Sequence, residues 1–148
     1  MDEMDAPGHF GLDVHNNYVV SGSTVPDYPG AVPSAYLYRL TPEFSYGLTP
    51  SFELGAYILT SAGPFSEPSV DGEKVRIKYI APKSEGQDYF WGANLEVGKV
   101  DLAMERNPWN AELKGIYGYR TEGWTFAINA NLDWSIQGPA PQPLSLEL

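Results

Sequence analysis

His9 and His15 are the only two histidines of this 148-residue chain, so acid–base or metal chemistry is sought first around them. Spaced six apart, they share a face if the segment is a regular strand. Neither has a histidine or cysteine at ligand spacing, and the chain has no cysteine at all, so no metal and no cofactor is expected. Asp13, His15, Ser45 and Ser135 are the residue types from which a hydrolase takes its orienting acid, base and nucleophile. No Gly-x-Ser-x-Gly, His-Glu-x-x-His or phosphate loop ties them together. No catalytic residue is assigned, and His15 is expected to be a polar wall residue.

The elements that carry these residues alternate with period two, the signature of strands with unlike faces. The first run sets Phe10, Leu12, Val14, Tyr18 and Val20 against Gly11, Asp13, His15 and Asn17. A second sets Tyr36, Tyr38, Leu40, Phe44 and Tyr46 against Arg39, Thr41, Glu43, Ser45 and Gly47, with Pro42 predicting a bulge or local break. A third has Phe52, Leu54, Ala56 and Ile58 opposite Glu53 and Gly55. The fourth alternates Val75, Ile77 and Tyr79 with Lys74, Arg76 and Lys78, and the fifth alternates Tyr89, Trp91, Ala93, Leu95 and Val97 with Gly92, Asn94, Glu96 and Gly98. In the sixth, Leu113, Tyr117 and Tyr119 oppose Glu112, Lys114 and Arg120. The seventh runs from Trp124 through Phe126, Ile128, Ala130, Leu132 and Trp134 to Ile136, against Thr125, Ala127, Asn129, Asn131, Asp133 and Ser135; an eighth begins at Leu144, Leu146 and Leu148.

Bulk properties narrow what such a sheet can do. A net charge of -10 with nine Lys and Arg excludes phosphate-backbone recognition, so no nucleic-acid partner is expected. No stretch is apolar enough for a membrane helix. Most runs have about 9 to 13 residues, the length with which a tilted strand crosses the hydrocarbon layer. The connections predict alternating lengths: long at Ser21 to Ser34, short at Leu48 to Pro50, long at Ser61 to Glu73, intermediate at Ala81 to Asp88, longer at Lys99 to Asn110, and tight at Thr121 to Gly123. Short turns at one end and long loops at the other are a feature of membrane barrels.

The expected fold is therefore all-β, an antiparallel up-and-down transmembrane β-barrel with seven to eight strands in this chain. It forms one domain over residues 1–148, incomplete at both ends and part of a larger barrel. Lipid satisfies no backbone polar group, so spanning strands are stable only in a closed wall. The expected lumen-facing set is Asp13, His15, Arg39, Glu43, Glu53, Arg76, Lys78, Asn94, Glu96, Lys114, Arg120, Asn129, Asn131 and Asp133. Cross-strand ion pairs should run from Glu43 and Glu53 to Arg76 and Lys78, then to Glu96 and Lys114. Tyr18, Tyr36, Tyr46, Tyr89, Trp91, Tyr119, Trp124 and Trp134 are the expected aromatics of the membrane interface. The expected location is the bacterial outer membrane, although Met1 to Asp5 is acidic and is no secretory leader. The expected function is a passive channel or transporter, and the expected partners are the lipid bilayer and a small, hydrophobic or aromatic solute whose identity the residues leave open, as they do the oligomeric state. Two other readings stand beside a passive channel: a soluble or periplasmic β-sheet binding module, and an outer-membrane hydrolase.

The segments APGHFGLDVHNNYVVSG with PDYPG, RLTPEFSYGLTPSFELGAYI, VRIKYIAPKSEGQDYFWGANLEVGKV and NPWNAELKGIYGYRTEGWTFAINANLDWSIQGP resemble outer-membrane barrels of the family named for the MetA pathway of phenol degradation. The resemblance runs from about Ala6 to the end. It implies a barrel of porin or transporter type, associated by name with aromatic compounds, and it brings no catalytic residues.

Overall fold

A computed structural model of the chain describes residues 3–137 and 145–147. Its strands are β1 (Phe10–Tyr18), β2 (Tyr38–Thr49), β3 (Phe52–Gly63), β4 (Ser66–Ile80), β5 (Tyr89–Val100), β6 (Trp109–Arg120), β7 (Thr125–Gln137) and β8 (Ser145–Glu147). They form a single antiparallel meander in chain order. The fold is all-β and up-and-down, as the alternation predicts. Among the described residues no strand pairs with the outer edge of β1, and β8 pairs only with Asn131, Leu132 and Asp133 of β7, so the sheet is not closed. Leu144 and Leu148 of the expected eighth run lie outside the described residues.

Two ends of the sheet can be told apart. The first end carries the β2–β3, β4–β5 and β6–β7 connections, and the second carries β1–β2, β3–β4 and β5–β6. At the first end the β2–β3 turn is locked by the Thr49 hydroxyl, which accepts from the amides of Ser51 (3.2 Å) and Phe52 (3.0 Å), while Pro50 pre-sets the bend. At the second end segment 19–37 reaches across to segment 101–108. The Val32 amide donates to the Ala103 carbonyl (2.7 Å), and the Tyr28 hydroxyl donates to that of Leu102 (2.9 Å).

The strict alternation of long and short connections does not hold. Ser61 to Glu73 is not a loop: β3 and β4 continue through it as a hairpin closed at residues 64–65, with Ser61 opposite Ser69 and Gly63 opposite Ser66. Its Gly, Pro and Ser content is absorbed by irregularities between Leu59 and Thr60 and between Ser61 and Gly63. The β5 pairing begins only at Gly72. Residues 66–70 therefore project past β5 as an edge, where Pro68 costs no ladder bond on that side.

Pro42 gives a break without a bulge. It pairs with Val14 of β1, whereas the β2–β3 ladder skips Thr41 and Pro42 and resumes in the same register from Leu40–Thr60 to Glu43–Tyr57. The Thr60 hydroxyl donates to the Leu40 carbonyl (2.6 Å) at the gap. Tyr36 departs from expectation too: it precedes β2 in a left-handed conformation (φ 58°), outside the strand whose alternation placed it.

Candidate functional site: the polar face

Residues directly opposite one another in an antiparallel ladder share a face. The register links Asp13 to Glu43, Glu53 to Lys78 and on to Asn94, Lys114 and Asn131, and Arg76 to Glu96 and on to Glu112 and Asp133. By the same ladders and strand parity, His15, Arg39, Arg120 and Asn129 lie on this face as well.

This face is concave and shielded, and its opposite is apolar and bare. Glu53 is 3% exposed and Asn94 8%, whereas Phe10 is 82%, Trp124 72% and Ile128 69% exposed. A water-soluble domain buries its apolar surface, and exposed apolar patches of this extent mark a partner or a membrane. Here the burial is reversed from β2 to β6, while the edge strand β1 is exposed on both faces.

At the centre of the polar face Arg76 lies flat across β3. Its Nε and Nη2 donate to Oε1 of Glu43, two strands away, at 2.8 and 2.5 Å, and Nη2 also reaches Oε1 of Glu53 at 2.8 Å. The path exists because β3 has glycine at position 55. A Cβ there would sit 2.6 Å from Nε and 2.7 Å from Cγ of Arg76. Tyr57 lies below, its ring centre 5.9 Å from the guanidinium carbon, a cation–π arrangement. His15 meets the other oxygen of Glu43 at 3.0 Å from the open edge.

Other expected pairs are redistributed. Glu96 pairs with Lys74 (2.8 Å), and Lys114 pairs with Glu112 of its own strand (3.1 Å) instead of Glu96. Lys74, Glu112 and Tyr57 are therefore part of the site although absent from the expected set. Parity could have found all three, since each continues the polar-side positions of its run. Ser45 donates to Asp5, not to a histidine (2.5 Å), so Asp13, His15 and Ser45 share a face without a nucleophile–base contact between Ser45 and His15. Ser135 shares the polar face but lies on β7, six strands from the His15 of β1. Among the described residues, no group of three or more His, Cys, Asp or Glu side chains has metal-binding geometry.

On the apolar face the aromatics gather towards the first end. Phe10 packs on Tyr46 (ring centroids 4.6 Å), Phe52 on Tyr79 (4.9 Å) and Tyr79 on Trp91 (5.8 Å), with Tyr89, Tyr119 and Trp124 at the same end. Tyr18 lies at the second end, and Trp134 is half-buried towards it. Burial raises the Tyr28 phenol above its ordinary pKa of 10, and the charges of Glu105, Asp27 and Asp101 push the same way.

One element of the site has no counterpart in the strand pattern: residues 3–9 fold back over the polar face. The Asp5 amide donates to Glu53 (2.6 Å), and the Lys78 ammonium donates to the Glu3 carbonyl (2.6 Å). Met4 packs against a small apolar cluster of Ile80, Phe90 and Ile116, all on polar-face positions near the first end.

Comparison with protein families, with curated proteins and with solved structures yields no match.

Proposed function

We propose that the chain is the wall of an outer-membrane β-barrel whose polar face lines a passage for a small solute. The observation that carries this reading is the inverted burial: large apolar side chains bare on the outside, ionic ones shielded within. Strands of 12 residues, rising ~3.3 Å per residue and tilted by roughly 40°, cover ~30 Å, the thickness of the hydrocarbon core. The side-chain oxygens of Asn94, Asn129 and Asn131 are buried on the polar face without a hydrogen-bond partner in the protein. Buried polar atoms need partners, and a water-filled lumen provides them. The open sheet agrees with a wall that further strands complete, because lipid tolerates no unpaired edge.

In this orientation the first end is periplasmic, and the second, with segment 19–37 and the β3–β4 hairpin, faces outward. The aromatic class of solute rests on the resemblance to the MetA-pathway barrels alone. The test is reconstitution into planar bilayers. Discrete conductance steps, with a band that shifts on heating before electrophoresis, are expected. A monodisperse monomer in plain buffer without conductance would instead identify a soluble binding module.

A further inference from the structure

We propose that residues 3–9 are a tethered plug, seated in the polar face at the first end and able to swing clear. The inference rests on the channel reading and adds to it a gate.

The fold-back has a local cause. Ala6-Pro7-Gly8-His9 makes a turn in which the His9 amide donates to the Ala6 carbonyl (2.9 Å), with Gly8 at φ 82°. Proline at the second position and a left-handed glycine at the third define a type II turn, which reverses the chain. The Gly8 amide then donates to the Gly47 carbonyl (2.8 Å), and the Gly47 amide donates to that of His9 (3.1 Å). Beyond the turn, the chain runs across the polar side away from β2: Asp5 touches Ser45 and Glu53, Met4 packs on the apolar cluster of Ile80, Phe90 and Ile116, and Glu3 meets Lys78.

The wall is shaped to receive it. A Cβ on Gly47 would collide with the carbonyl oxygens of Asp5 and Ala6, and one on Gly11 with the Asp5 carboxylate. Glycine at these two wall positions leaves room for the segment. Seated there, residues 3–5 border a cleft of about 730 Å³ that is lined on the wall side by Asp13, Glu43, Glu53 and Arg76.

The contacts that hold the segment are few, and that makes it a gate. Beyond the turn that Gly8 and His9 pin to Gly47, residues 3–5 are fastened by the Asp5 amide donating to Glu53, the Asp5 carboxylate accepting from Ser45, the Glu3 carbonyl accepting from Lys78, and the apolar contact of Met4. Each hydrogen bond has a charged partner and is worth roughly a ten- to hundredfold shift in the closed–open balance, so losing two of them is enough to move it. The segment 3–7 spans roughly 15 Å when extended, enough to leave the face once the seat is lost. Gly8 supplies a pivot, with nothing within 4 Å of the place a Cβ would occupy.

The test uses the whole chain with Ser45→Cys as a reporter under the segment, in detergent and in planar bilayers. Met4→Asp with Asp5→Pro removes the apolar contact, the Asp5 amide donor and the carboxylate without altering the wall. A water-soluble maleimide should then label position 45 about tenfold faster or more, and mean conductance should rise. Equal labelling rates with and without the two substitutions would show that the segment does not cover the face, and would overturn the plug whatever the protein conducts. Faster labelling with unchanged conductance would overturn gating and leave the channel standing. Absence of conductance from both forms would overturn the channel reading, and gating with it.

Discussion

Replacing Gly55 by alanine tests the polar network through the sign of its effect. Alanine in place of a strand glycine ordinarily stabilises by roughly 0.5–1 kcal/mol, because glycine loses more backbone freedom on folding. At position 55 the new Cβ would meet Arg76 at Nε (2.6 Å), Cγ (2.7 Å) and Cζ (3.0 Å). Cγ is close to the backbone and cannot give way as a side-chain tip does, so Arg76 must leave β3 for another rotamer. It then loses both bonds to Glu43, at about 1.5–3 kcal/mol per charge-assisted bond, less what water restores. A net loss of ~2–4 kcal/mol follows. The assay is equilibrium urea unfolding in lipid vesicles, read by the fluorescence of the four tryptophans. Gly115→Ala is the control, since its Cβ would have only the Ala130 carbonyl at 3.8 Å, and it should be neutral or slightly stabilising. With Arg76→Ala as background, Gly55→Ala should lose its penalty, giving a coupling of ~2–4 kcal/mol in the double-mutant cycle. A stabilising Gly55→Ala, or additivity with Arg76→Ala, would refute the flat path of Arg76 across β3.

Two further outcomes follow from the outer face and the second end. Leu95→Arg, near the middle of β5 on the apolar face, should destabilise the protein by ~2–4 kcal/mol in bilayers, read by the same unfolding assay; a change within ~0.5 kcal/mol would place that side in water. The Tyr28 phenol, whose pKa burial raises, holds its proton more tightly in the docked state than when free. Its contribution is therefore complete below pH 10 and is lost as the pH rises through the raised value. Limited proteolysis within residues 19–37 should accelerate above pH 10, and Tyr28→Phe should remove that acceleration; equal pH dependence in both proteins would contradict it.

What the sequence reveals here is what a period-two pattern can carry. Once Tyr89 to Val97 and Trp124 to Ile136 alternate without a break, the pleat alone assigns their faces, and the meander follows from the turns between them. Tyr57, Lys74 and Glu112 were within reach of the same rule. The residues from Ser61 to Glu73 were not, because loops and bulged hairpins draw on the same Gly, Pro and Ser, and only pairing across strands separates them. Ion-pair choice was equally hidden. Glu96 takes Lys74 and Arg76 crosses β3 to Glu43 because of side-chain reach and the glycine at 55, which strand order does not encode. The folded-back segment did leave a trace in Pro7-Gly8, a turn signal, but its seat depends on Gly11 and Gly47 from separate strands.

Collision of spin labels with oxygen, dissolved in lipid, and with a polar nickel chelate, dissolved in water, tests the central claim most directly. A single-cysteine scan of Phe90 to Val97 in bilayers should show oxygen maxima at Trp91, Ala93, Leu95 and Val97, and minima at Phe90, Gly92, Asn94 and Glu96. Oxygen maxima at the even positions, or no alternation at all, would contradict it.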